Sequence, residues 1–109
     1  MKLTRKISIA LCIEVWTWCA ETGKQKYEWP KWRNNGGSYR YITLHCFFCE
    51  YDRQRRQRTH KKRCYHCPFE GPERACVKNY YYGKWEDAKT PKTRKKYAKL
   101  FLEQIKTIK

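Results

Sequence analysis

Two Cys-x-x-Cys pairs, Cys46-Phe-Phe-Cys49 and Cys64-Tyr-His-Cys67, stand fourteen residues apart and constrain this chain more than any other feature. Two thiols three positions apart in a tight turn can both face one ion, and a second such turn completes a tetrahedron of sulfur. Soft sulfur donors select zinc over magnesium or calcium, with iron as the lesser alternative. The spacing therefore predicts one structural zinc ion held by Cys46, Cys49, Cys64 and Cys67. Cys76 or His66 are substitutes for one of the four. Four thiolates close the coordination sphere, so metal-activated water is not expected. The competing reading is two disulfides or two unrelated thiol pairs; seven cysteines is an odd number, so disulfides cannot absorb them all. A thioredoxin-like use of either pair needs a βαβ setting that the sequence does not offer.

The metal matters because the remaining core is lean. Only 40% of the 109 residues are apolar, although aromatic residues make up 17%. A chain of this length forms one domain, residues 1–109, and a staple is expected to support it. Structural zinc typically contributes about 10–16 kcal/mol to folding, against a total stability of about 5–15 kcal/mol.

Around the cysteines the pattern predicts a small α+β zinc-bound domain, with zinc-ribbon or treble-clef-like knuckles of four cysteines, a short β-sheet and a helix at each end. Ile7, Leu11, Val15, Trp18 and Cys19 recur at helical spacing over about residues 7–22, and Gly23 follows as a left-handed cap. Cys12 and Cys19 fall inside that helix as small buried apolar groups. Trp29-Pro30 and Asn34-Asn35-Gly36-Gly37-Ser38 mark a connecting region. Tyr39 to Leu44 alternates like a strand and opens a zinc region over 39–76. Asn79 to Gly83 reads as extended, and Lys84 to Lys89 as one helical turn around Trp85. Thr90 and Pro91 start a second long helix over about 91–108, with Tyr97, Ala98, Phe101, Leu102, Ile105 and Ile108 in one stripe.

Between the two cysteine pairs lie Arg53, Arg55, Arg56, Arg58, Lys61, Lys62 and Arg63, in a segment read as a mobile loop. Cations near thiolates lower thiol pKa values and offset an anionic metal centre, but two would suffice for that. The surplus, in a chain of net charge +16, points to an anionic partner. If about five cations met phosphates, binding would weaken with salt at a log–log slope near about −4. The plain alternative is a solvated charge run. Trp29 and Trp32 could stack on bases, or cover the core.

Enzymatic chemistry is not expected. The histidines His45, His60 and His66 crowd the cysteine region without a serine, carboxylate or asparagine partner. The H-x-E of zinc deaminases is missing, and His60 lacks the neighbours an HNH-type nuclease needs. No helix-turn-helix, RNA-recognition or GxxxxGK[ST] pattern supplies a base reader. Lys2, Arg5 and Lys6 before Ile7-Ser-Ile-Ala-Leu-Cys-Ile13 imitate a secretory leader. Glu14 interrupts that run, and no small-residue cleavage site follows. A reduced, cytoplasmic setting is the expectation.

Taken together, Trp18 before Glu21-Thr-Gly23, Trp29-Pro30, Cys46-Phe-Phe-Cys49-Glu-Tyr, Cys64-Tyr-His-Cys67-Pro, Cys76 and Trp85-x-x-Ala88 before Arg94-Lys-Lys-Tyr-Ala98 resemble small zinc-binding bacteriophage proteins of Gram-positive hosts. Some small phage metalloproteins are anti-CRISPR inhibitors of type II effector nucleases. The resemblance implies a non-enzymatic inhibitor in the cytoplasm of an infected bacterium, binding the effector nuclease or its guide RNA and target DNA and blocking DNA loading. The positive charge excludes mimicry of DNA. A zinc-held nucleic-acid-binding regulator is the alternative.

Overall fold

The computed structural model describes residues 2–40, 42, 45–69 and 79–108. Among them are four α-helices: α1 (Arg5–Thr22), α2 (Phe47–Thr59), α3 (Tyr80–Asp87) and α4 (Pro91–Lys106). Two 3-10 turns, Lys26–Glu28 and Arg33–Asn35, shape the connection between α1 and α2. No helix among the described residues is long and apolar enough to cross a membrane.

The two long helices start and stop where their sequences dictate. Thr4 caps α1, its Oγ1 accepting from the Ile7 amide at 3.1 Å. At the other end Gly23 sits at φ 72° and its amide donates to Cys19 O at 2.9 Å. A Cβ on Gly23 would lie 2.5 Å from Pro91 O, so the end of α1 abuts the start of α4. Arg94 Nε fastens the junction by donating to Gly23 O at 2.6 Å. Thr90 caps α4 and Pro91 occupies its first turn, as expected.

The apolar stripe of α4 (Ala98, Phe101, Leu102, Ile105) is buried against α1. Helix α3 packs on α4, and Asn79 joins them, its Nδ2 donating to Gln104 Oε1 at 2.7 Å. Helix α2 packs on α1 as well. Two groups of rings fill the space. Trp16 of α1 meets Trp85, Phe101 and Tyr82 edge-on at 4.7, 4.8 and 5.8 Å. Trp29 meets Trp32, Tyr39 and Phe47 at 5.0, 5.7 and 6.0 Å. Buried aromatic rings bring large apolar areas per residue, which is how a lean sequence still closes a core.

Three expectations are corrected. The α+β class with zinc-ribbon or treble-clef knuckles and a short β-sheet does not hold: the described residues are helical, with no strand. Of Tyr39–Leu44, residues Tyr39, Arg40 and Ile42 are described, and the sole pairing there is an isolated bridge between Trp32 and Tyr39. Gly36, left-handed at φ 98°, turns the chain so that Tyr39 N donates to Lys31 O at 3.0 Å and Tyr39 O accepts from Arg33 N at 2.5 Å. Both backbone groups of Tyr39 are thereby satisfied without a sheet. Tyr41, Thr43 and Leu44 lie outside the described residues.

The segment read as a mobile basic loop is mostly helix α2. Cys46 caps it, and the carboxylates of its first two turns bind cations three and four residues on. His60 ends it in the left-handed conformation at φ 56°. Finally, residues 80–83 are helical rather than extended, because Asn79 Oδ1 accepts from the Tyr82 amide at 3.0 Å.

Candidate functional site

The first Cys-x-x-Cys pair is the N-terminus of α2. Cys46 is the cap residue, and its Sγ accepts from the Cys49 amide at 3.3 Å. Cys12, reaching across from α1, shares a thiol hydrogen bond with Cys46. That contact, the Cys49 thiol and the nearby Lys26 ammonium hold Cys46 well below the usual thiol range, while burial pushes Cys12 well above it. Cys19, deeper in α1, is pushed up to about 12 by burial. Cys12, Lys26, His45, Cys46, Cys49 and Tyr82 share the wall of a cavity of about 40 Å³. Lys26 Nζ donates to the Tyr82 hydroxyl at 2.7 Å. Burial works against the Lys26 charge, and the Tyr82 oxygen with the Cys46 and Cys49 thiols outweighs it.

The second pair forms its own turn, with Cys67 N donating to Cys64 O at 3.2 Å and Cys64 at φ 70°. Buried Asp52, on α2, braces that turn. It accepts from Cys64 N at 2.8 Å and His66 N at 2.7 Å, and from Arg56 Nε at 2.7 Å. His66 Nε2 shares a 2.8 Å hydrogen bond with Thr59 Oγ1. Both cysteine pairs are thus organised by one helix. Yet among the described residues no three His, Cys, Asp or Glu side chains are arranged to hold a metal ion. The thiol chemistry suits zinc, whereas the arrangement of the described donors does not present a metal site. Cys76 lies outside the described residues.

The seven cations between the pairs divide into two kinds. Arg53 grips Glu50 through Nε at 3.0 Å and Nη2 at 2.5 Å, and this hydrogen-bonded pairing holds the Glu50 carboxyl below its ordinary range. Arg56 is committed to Asp52. Arg55, Arg58, Lys61, Lys62 and Arg63 are exposed and meet no carboxylate among the described residues. Arg55 and Arg58 share a surface hollow of about 270 Å³ with Lys2, Leu3, Gln54 and Gln57. The hollow exists because the N-terminal arm is fastened to α2: Leu3 is buried, and its amide donates to Gln54 Oε1 at 2.9 Å.

Sequence reasoning placed Lys2 in a leader-like run and gave Cys12 to the core alone. The α1 periodicity does put Cys12 on the same face as Leu11 and Val15, which packs on its neighbours. Trp29 and Trp32 are buried, so the core-covering reading holds for both and base stacking on them does not. On α4, Lys92, Lys95, Lys96 and Lys99 are exposed, whereas Arg94 is a structural clamp. No known family model matches the chain, and no curated protein or solved structure matches it.

Proposed function

We propose that this chain is a non-enzymatic binding protein that takes the phosphate backbone of nucleic acid on α2 and the turn after it. One observation carries the reading: five cations with no carboxylate partner among the described residues stand on α2 and its following turn, with Lys2 beside Arg55 and Arg58. Phosphate contacts position a nucleic acid without reading its sequence, in keeping with the lack of any base-reading motif. Neutralising about five phosphates releases condensed counterions, giving a log–log salt slope near about −4.

The test is binding of labelled DNA and RNA across a salt series, for the native chain and for Arg55→Glu/Arg58→Glu. The expected result is a steep slope for the native chain and loss of binding in the variant. Tight binding with a flat salt dependence, or an unaffected variant, refutes the reading.

Inhibition of a type II effector nuclease rests on the phage-protein resemblance alone, and within this proposal it makes guide RNA or target DNA the natural ligand. Recovery of the effector on the immobilised chain after nuclease digestion of all nucleic acid would instead favour direct protein contact. Structural zinc rests on donor chemistry alone, with Cys46, Cys49, Cys64 and Cys67 as its ligands, or Cys76 or His66 for one of them. It would cross-link the N-terminus of α2 to the Cys64–Cys67 turn and take no part in a reaction.

A further inference from the structure

A second hollow adjoins the cationic one. It measures about 210 Å³ and is lined by Ser38, Tyr39, Arg40, Ile42, Phe47 and Glu50, with Leu3 at its edge. Leu3 lines both hollows and forms the ridge between them. The ridge is locked in place. Gln54 accepts from the Leu3 amide and donates through Nε2 to Glu50 Oε2 at 3.0 Å. Glu50 and Gln54 are about one turn apart on α2, a rise of about 6 Å, so the two hollows follow each other along the helix.

Their chemistries differ. The cationic hollow offers Lys2, Arg55 and Arg58 with the Gln57 amide, which suits phosphate oxygens. The second offers a flat ring, an apolar floor and a carboxylate. Tyr39 is half-buried and fixed in orientation by stacking on Trp29, centroids 5.7 Å apart and planes 10° apart. The Glu50 carboxylate at the wall is already bound by Arg53 and Gln54, which leaves Oε1 one further acceptor site for an N–H at the edge of a base. Arg40, exposed and with no carboxylate partner among the described residues, adds a planar cation at the rim. The space is smaller than the roughly 300 Å³ at which drug-sized pockets begin, so it suits one flat ring system rather than an elaborated ligand.

Resting on the phosphate-binding reading above, we infer that the chain prefers single-stranded nucleic acid, seating one unpaired base in the Tyr39–Arg40–Glu50 hollow while the adjoining phosphates lie over Lys2, Arg55 and Arg58. A base inside a duplex keeps its faces stacked on its neighbours and cannot enter such a hollow. An unpaired base exposes a π-face to the tyrosine ring. Basic grooves combined with aromatic platforms are the general means of gripping single strands without sequence preference.

The experiment is fluorescence anisotropy with labelled oligonucleotides of about ten nucleotides, within the range such sites cover. The probes are single-stranded DNA and RNA, the matching duplexes, and a single strand in which abasic sites replace the bases. Expected for the native chain is about tenfold tighter binding to single strand than to duplex, and about tenfold weaker binding to the abasic strand. The abasic probe needs no variant, so this result does not depend on a mutant folding. Tyr39→Leu should lose the base-dependent increment and Tyr39→Phe keep it. Equal affinity for single strand, duplex and abasic strand, with binding still lost in Arg55→Glu/Arg58→Glu, overturns this inference and leaves the phosphate-binding reading standing. No binding to any probe at about 50 mM salt overturns both.

Discussion

Replacing Asp52 by alanine should be among the most damaging single changes outside the aromatic core. Its side chain is 3% exposed and accepts three hydrogen bonds: from two backbone amides of the Cys64–Cys67 turn and from Arg56. Hydrogen bonds to a charged acceptor are each worth about 1.5–3 kcal/mol net. The two amides alone therefore suggest a loss of about 3 kcal/mol or more, in line with the penalty of about 3–5 for breaking a buried charge pair. Arg56 adds less, because its side chain is 30% exposed and water can replace the carboxylate. With a urea m-value of about 2 kcal/mol per molar, the unfolding midpoint should fall by about 1.5 M. Asp52→Asn should lie between, since a neutral amide oxygen still accepts from one backbone N–H. Arg56→Ala should be mildest, at about 1 kcal/mol. The measurement is urea unfolding followed by far-UV circular dichroism in reductant and chelator. A midpoint shift under about 0.3 M for Asp52→Ala, or Arg56→Ala proving the worse of the two, would refute the idea that Asp52 holds the second cysteine turn.

Gly23→Ala should cost at least about 2 kcal/mol in the same assay, because a left-handed φ of 72° is strained for alanine and the new Cβ meets Pro91 O. Gly36→Ala, left-handed but with open space around it, should cost about half as much. The Glu50 carboxyl sits below its ordinary value of 4.5 in the folded chain, chiefly through the Arg53 hydrogen bonds. A depressed carboxyl pKa adds stability that is present above the unfolded value and lost as pH falls through the folded one. Stability should therefore decline below about pH 4.5, and Glu50→Gln should flatten that decline in a pH series of unfolding midpoints. If zinc joins the two cysteine turns as proposed, zinc added to reduced protein binds at one equivalent and slows alkylation of Cys46, Cys49, Cys64 and Cys67 together, as read by mass spectrometry; independent alkylation of the two pairs refutes it. Cys19, buried with its thiol pushed up to about 12, should resist alkylation with or without metal.

Much of the architecture could be read from caps. Thr90-Pro91 and Thr22-Gly23 fix helix ends by local chemistry, and the structure keeps both. The strand reading failed because alternation over six residues records only which side chains are buried. Tyr39 satisfies that pattern by stacking on Trp29 in a folded-back turn. The basic segment failed for a different reason. A Cys-x-x-Cys pair read as a metal knuckle leaves its sequel as a loop, and a run of cations looks solvated. The signal was present in Glu50 and Asp52, spaced three and four residues before Arg53 and Arg56, the spacing that stabilises helices. Of the candidate site, the exposed cations were visible as charge, but their division into paired and unpaired was not. That division depends on which face of α2 turns inward. Nor could the hollow beside Lys2 be foreseen, because it forms where the N-terminal arm crosses a helix more than fifty residues later in the chain.

The commitment of Arg56 to Asp52 has a bearing on how this helix should be dissected. An alanine scan scored by ligand retention alone would flag Arg56 beside Arg55 and Arg58 and draw a footprint one residue too wide. Its defect would originate in a loosened cysteine turn rather than a lost phosphate. At a cost of about 1 kcal/mol the Arg56→Ala protein stays folded, so an unfolding midpoint measured beside each affinity separates a loosened turn from a lost contact.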